Sequence, residues 1–243
     1  MPIRRYPERS TWVAFLDISG FKSMMKDLGS ARIALNKFYK IVFNANHEYH
    51  RNFDTGIRRN VLISSLIVSD CAILFIDSRD AVNDNEDINL DKARDLNIML
   101  WSISTINRFL IAPVDGMQIM TTCAIDYGPF TYEDRVEDEY TEKNFFYGSA
   151  YLNAYLASGD LTPGWCKVLH KDPQLLQGQA HVYNQLAYLR ENDGGYDFYW
   201  QTIDPTAIDS FKRNYDALTK RRKDRYYYKR IADLLRDISN NPR

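Results

Sequence analysis

Residues 11–21 read Thr-Trp-Val-Ala-Phe-Leu-Asp-Ile-Ser-Gly-Phe. The run Thr11–Leu16 is short, apolar and aromatic, which suits a buried strand. Asp17-Ile18-Ser19-Gly20 reads as the turn that ends it. Helical periodicity follows over roughly 22–50, where Met24, Met25, Leu28, Leu35, Phe38, Val42 and Ala45 fall mostly three or four residues apart. A strand that ends in an aspartate and feeds a helix sets a carboxylate beside N–H groups that lack an intrahelical acceptor.

Beyond a break at Thr55-Gly56, two apolar runs, Val61–Val68 and Cys71–Ile76, flank Ser69-Asp70 and predict a hairpin. After an acidic loop over 77–91, a second helix carries Leu96, Leu100, Ile103, Ile106 and Leu110 on one face and stops at Pro113. Met117–Ile125 predicts a strand halted by Asp126-Tyr127-Gly128-Pro129. An acidic loop is expected over Glu133–Glu142, a helix over Tyr147–Ala157, and strands at Trp165–Leu169 and Tyr196–Thr202, the last preceded by a turn at Asp193-Gly194-Gly195. The order βαββαβ implies an α+β, ferredoxin-like core with extra C-terminal strands, its helices on one face of the sheet. The expected division is a domain over 1–204 and a basic helical extension over 205–243.

With 243 residues and 45% hydrophobic content, the chain can bury one sizeable core but not comfortably two. A formal net charge of -1 excludes a partner chosen by bulk charge. No run approaches the ~20 apolar residues of a membrane helix, and residues 1–9 lack the apolar centre of a signal peptide. Cys71, Cys123 and Cys166 are odd in number and unpaired in spacing, so a reducing, cytoplasmic setting is expected.

If the hairpin lies beside the first strand, Asp17 and Asp70 converge at one sheet edge. Two carboxylates that share a site repel unless cations lie between them. Two divalent ions satisfy that requirement and suit phosphoryl chemistry. The competing reading is plain: an Asp after a strand often caps a helix, and an Asp in a hairpin often serves the turn. On the residues alone both readings stand.

Phe15-Leu16-Asp17-Ile18-Ser19-Gly20-Phe21 resembles the F-x-D-I-x-G-F signature of class III nucleotidyl cyclases. Val68-Ser69-Asp70-Cys71-Ala72-Ile73-Leu74-Phe75 resembles that family's Gly-Asp turn and following strand, and Phe146-Tyr147-Gly148-Ser149-Ala150-Tyr151-Leu152-Asn153-Ala154 its W-G-x-x-V-N-x-A helix start. The three come in family order and the likeness spans about 11–202. It implies a homodimer with active sites between the protomers. It also implies two Mn²⁺ or Mg²⁺ ions on Asp17, Asp70 and the Ile18 carbonyl, a triphosphate cradled by the amides of Gly20, Phe21 and Lys22, and Asn153 serving the transition state.

The departures narrow the expected substrate. Purine cyclases of the family read the base with polar groups four residues before the second metal Asp and three before the third-motif Gly. Those positions are Leu66 and Phe145 here. A purine edge facing them forfeits hydrogen bonds it had in water, and bulky apolar walls favour a smaller base. In this the chain is similar to the Pycsar-type pyrimidine cyclases of bacterial anti-phage defence. The resemblance implies UTP as substrate, or CTP, and a separate effector that answers cyclic UMP or cyclic CMP. An adenylate cyclase with an unusual pocket is the purine alternative. The family's transition-state Arg has no counterpart: four residues after Asn153 stands Ala157. Arg135 and Lys143 are nearby candidates for phosphate contact.

Other motifs carry less. His47 and His50 lie three apart without further zinc ligands, and Asp84-Asn85-Glu86-Asp87 lacks the Gly and Glu of a calcium loop. Neither a P-loop nor a dinucleotide fingerprint occurs. Nine lysines and arginines with Tyr226, Tyr227 and Tyr228 crowd residues 211–230, a pattern usual for a solvated face. A non-catalytic nucleic-acid-binding or nucleotide-sensing module is the rival of another class.

Overall fold

The computed structural model describes residues 5–53, 61–78, 88–112, 117–138, 141–172, 184–192 and 194–204, with single positions at 206, 209, 210, 213 and 236. The apolar run at 11–16 lies within β1 (Arg5–Ile18), which is followed by α1 (Phe21–Met24) and α2 (Leu28–Phe53). Then come the hairpin β2 (Val61–Val68) and β3 (Cys71–Ser78), α3 (Ile88–Ile111), β4 (Thr121–Asp138), β5 (Thr141–Tyr147), α4 (Ser149–Ser158), β6 (Cys166–Val168), β7 (Leu189–Asn192) and β8 (Gly195–Phe198).

The eight strands form one mixed sheet in the order β2-β3-β1-β4-β6-β8-β7, with β5 paired to β4. Its first four members have the ferredoxin-like arrangement that βαββαβ connectivity demands. β4 and β6 run parallel, and the other pairs are antiparallel.

Strand alternation sorts β1 into two faces. Trp12, Ala14, Leu16 and Ile18 join the main core with Phe38 and Val42 of α2 and with Leu96, Leu100 and Ile103 of α3. Val13 and Phe15 point the other way, into a smaller core with Ile73, Phe75, Ala124, Phe130 and, from α4, Ala150 and Ala154. Each large side chain buried in this way contributes roughly 1.5–3 kcal/mol. Helices therefore lie on both faces: α2 and α3 on one, and α4 across β1 and β4 on the other.

Several expected boundaries are corrected. The long first helix is two, separated at Met25–Asp27. Asp126-Tyr127-Gly128-Pro129 does not end β4, which runs on to Asp138. The stretch expected as an acidic loop supplies the arms of the β4–β5 hairpin, with Tyr132 opposite Phe146 and Arg135 opposite Lys143. Cross-strand aromatic pairing outweighs the charge pattern there. Tyr147 closes β5, and α4 starts only at Ser149. Between them Gly148 has φ 143°, and a Cβ there would lie 2.1 Å from the Pro129 carbonyl oxygen. Only glycine allows that close approach. The strand expected at Tyr196–Thr202 is shorter, and a 3₁₀ turn follows at Trp200–Ile203. β7 was not foreseen. The breaks at Thr55-Gly56 and Pro113, the acidic stretch at 84–87, the side chains of His47 and His50, and nearly all of 205–243 lie outside the described residues. Among the described residues no helix is long and apolar enough to cross a membrane.

Candidate metal and nucleotide site

The antiparallel register of β1 and β3 sets Asp17 opposite Cys71, which brings the hairpin tip Ser69-Asp70 beside the end of β1. The Ile18 N–H donates to the Asp70 carbonyl at 3.0 Å, which extends the pairing into the turn. Ser69 has φ 55°, in the left-handed region a side chain seldom occupies. Tyr39 of α2 holds that residue by donating its hydroxyl to the Ser69 carbonyl at 2.9 Å. On the other side Gly20, at φ 80°, turns the chain into α1. That turn leaves the Phe21 and Lys22 N–H groups at the helix start, where no intrahelical carbonyl can reach them. Phe21 itself is buried in the main core, and Lys22 is exposed.

Asp17, Asp70 and Cys71 are all half-buried, and one ligand atom from each lies within 4.8 Å of the others. The Cys71 thiol donates to Asp17 Oδ1 at 3.1 Å and lies 3.9 Å from Asp70 Oδ1. Burial pushes the Asp17 carboxyl above the ordinary carboxylate range; the Cys71 hydrogen bond opposes this, and the Asp70 charge adds to it. Burial likewise pushes the Cys71 thiol up, reinforced by Asp17 and Asp70. Such a site holds excess negative charge in a poorly hydrated place, which a cation relieves. Two carboxylates are the oxygen donors that Mg²⁺ and Mn²⁺ prefer, so the residues present fit the expected ions.

The remaining expected residues divide. Leu66 on β2 pairs with Ile73 and packs against the smaller core, the one behind Asp17 and Cys71. Phe145 does not join it: its neighbour Phe146 packs there, and strand alternation puts Phe145 on the opposite face, exposed. Asn153 is exposed on α4, and its Nδ2 donates to Oδ2 of the buried Asp126 at 2.8 Å. Asp126 lies opposite Val13, four positions back along β1 from Asp17. Ala157 packs against the smaller core and brings no charge. The side chains of Arg135 and Lys143 lie outside the described residues.

Three features were not singled out from sequence. Cys71 was counted only among the cysteines, although its place directly after Asp70 in a strand paired with β1 was the available signal. Asp126 was read as a strand terminator. Tyr151 and Tyr155, stacked at 6.1 Å, form an aromatic seam along α4. Tyr155 meets Phe15 edge-on at 5.2 Å, and Tyr151 meets Phe146 at 5.0 Å. Phe15 is two residues before Asp17, so α4 buttresses the wall behind the carboxylates.

No protein-family model and no curated protein matches the chain. Solved structures do. The guanylate cyclase domain of RhGC from Catenaria anguillulae, crystallised with GTP, superposes with a TM-score of 0.50 at 15% identity, over 79% of this chain and 95% of that one. A dimeric guanylyl cyclase domain of the RhoGC fusion protein from Blastocladiella emersonii gives 0.49 at 13% identity, over 80% and 95%. The adenylyl cyclase CyaB from P. aeruginosa gives 0.46 at 14%, over 73% and 83%. The RhGC superposition establishes that this chain has the α+β fold of a class III cyclase catalytic domain.

Proposed function

We propose that this chain is a nucleotidyl cyclase that converts UTP into cyclic UMP and pyrophosphate, with CTP the alternative substrate and an adenylate cyclase the purine alternative. The observation that carries the reading is the meeting of Asp17 and Asp70 at the end of β1, on a fold shared with a cyclase domain crystallised with GTP. Asp17, Asp70 and the Ile18 carbonyl are the groups to hold two Mn²⁺ or Mg²⁺ ions. Bound there, divalent ions supply Lewis acidity that favours the 3′-alkoxide and neutralises the triphosphate. The amides of Gly20, Phe21 and Lys22 orient the phosphates for in-line attack. The 3′-oxygen bonds to the α-phosphorus as its bond to the pyrophosphate oxygen breaks, and the hydroxyl proton passes to water. Leu66, on the site face, supplies an apolar wall for a small base. Phe145, exposed on the opposite face, is proposed to meet the base from a second protomer.

A homodimer is part of the proposal. Leu152, Tyr155 and Leu156 of α4 are each about half exposed or more, at the spacing of one helix face. Asn153 lies on the same helix, and the proposal is that α4 of one protomer serves the carboxylates of its partner. The three free thiols suit a reducing, cytoplasmic setting. A role in anti-phage defence, through an effector that answers the cyclic nucleotide, follows the pyrimidine assignment.

The test is turnover with Mn²⁺ and UTP, CTP, ATP or GTP, the products separated by mass. Cyclic UMP or cyclic CMP supports the reading and names the base. A purine product keeps the chemistry and overturns the base assignment. Two observations favour a second reading, a silent nucleotide-sensing domain: the Asn153 amide is engaged by Asp126, and Ala157 stands where an Arg is expected. No product from any nucleotide, with nucleotide binding retained, selects it.

A further inference from the structure

We propose that Asp17, Asp70 and Cys71 together form a site for one soft divalent cation, of the Zn²⁺ or Cd²⁺ class, distinct in its donor set from a pair of hard ions held by oxygen alone. The carboxylates alone select oxygen-loving ions, but the thiol between them changes that preference, because sulfur donors favour zinc and its heavier congeners. Asp17 ends β1, Cys71 is its cross-strand partner at the start of β3, and Asp70 is in the turn tied to Ile18. The paired backbone thus fixes all three donors.

The distances fit a single small ion. Zinc bonds sulfur at ~2.3 Å and carboxylate oxygen at ~2.0–2.2 Å, so a tetrahedral site needs sulfur-to-oxygen edges of about 3.6 Å. The Cys71 sulfur lies 3.1 Å from Asp17 Oδ1 and 3.9 Å from Asp70 Oδ1, one on each side of that value. All three ligand atoms fall within 4.8 Å of one another, so the existing rotamers need only small adjustment. In the same turn the hydroxyl of Ser19, two residues after Asp17, is buried without a hydrogen-bond partner among the described residues. Such orphaned groups are rare in folded proteins. On binding, the Cys71 S–H bond breaks as the metal–sulfur bond forms, and the proton leaves to the buffer. Three protein ligands leave a fourth position for water or a phosphate oxygen. A soft ion here excludes a hard pair from the same carboxylates and so blocks chemistry that needs one. The site stands whether or not the chain cyclises a nucleotide.

The experiment titrates the full chain with CdCl₂, without nucleotide, and follows the ultraviolet charge-transfer absorption of a cadmium–thiolate bond. The expected result is a band that saturates at one equivalent and is absent in Cys71→Ser. The midpoint rises at least about tenfold in Asp17→Asn and in Asp70→Asn, and also rises with millimolar Mg²⁺. Three results overturn the site: no band, a band retained in Cys71→Ser, which assigns it to Cys123 or Cys166, or indifference to both Asp variants, which leaves the cysteine binding alone. Circular dichroism checks the folding of each variant. Should Cys71→Ser misfold, the two Asp variants decide. Failure of turnover with loss of this band would indict the site, and failure of turnover with the band intact would indict only the cyclase reading.

Discussion

The Ile18 N–H donates to the Asp70 carbonyl at 3.0 Å, so the end of β1 and the tip of the β2–β3 hairpin are one structural unit. That bond continues the ladder one step past the Asp17–Cys71 pair, and it brings the two carboxylates to one end of the sheet.

Asp17→Ala and Asp70→Ala should each fold and lose at least about a hundredfold in turnover, since metal-assisted charge stabilisation is worth several kcal/mol. Mass analysis of the products is the measurement, and near-normal activity in either variant rules out the two-metal assignment. Stability moves the other way. The folded Asp17 carboxyl is raised above its unfolded value, so its contribution is present below the unfolded value and is lost as pH rises through the folded one. Without metal at neutral pH, Asp17→Asn should therefore melt no lower than the parent chain.

Asn153→Ala should lower both activity and stability. It removes the donor that Asp126, a buried carboxylate, receives at 2.8 Å, at a cost of about 1–3 kcal/mol. Denaturant unfolding measures that part. If Asn153 also serves the transition state, kcat falls more than KM rises; an unchanged kcat would leave it a structural residue of α4.

Gly148→Ala should destabilise the chain by at least about 2 kcal/mol, combining a backbone conformation unsuited to alanine with a Cβ clash on Pro129. Thermal melting reads the effect. A change below about 0.5 kcal/mol would mean that β4 and α4 part easily.

Acid should weaken the fold through His170. Burial, then the Lys92 charge, pushes its imidazole below the ordinary value, while Asp126 and Asp172 pull the other way. Lys92 Nζ lies 2.6 Å from His170 Nε2, 3.2 Å from Asp172 and 4.3 Å from the centre of the Tyr127 ring. A base with a lowered folded value contributes stability in full above its unfolded value, about 6.5, and loses it as pH falls through the folded value. Melting curves from pH 8 to 5 should show this loss, and His170→Asn should flatten it. An equal slope in both proteins would clear His170 of the effect.

Leu156→Arg should split the proposed homodimer, because it places a charge on the apolar face of α4. Sedimentation should show the smaller species, with turnover lost in parallel. A monomeric parent chain with full activity would contradict an active site shared between protomers.

Much of this was legible in the sequence. Thr11–Leu16 with Asp17 and Gly20, and two apolar runs around Ser69-Asp70, determined the strand and the hairpin, because residue periodicity and turn chemistry are local properties; that the two carboxylates meet was decided by the β1–β3 register. What the sequence could not decide depends on faces and neighbours. Glu133–Glu142 looks like a solvated loop until Tyr132 and Phe146 meet across the β4–β5 hairpin. Leu66 and Phe145 look alike as apolar residues until the sheet buries one side against the smaller core and leaves Phe145 exposed. Cys71 is one thiol among three until the register with β1 sets its sulfur between Asp17 and Asp70. Each of these rests on contacts between residues far apart in the chain, and only the folded sheet brings them together.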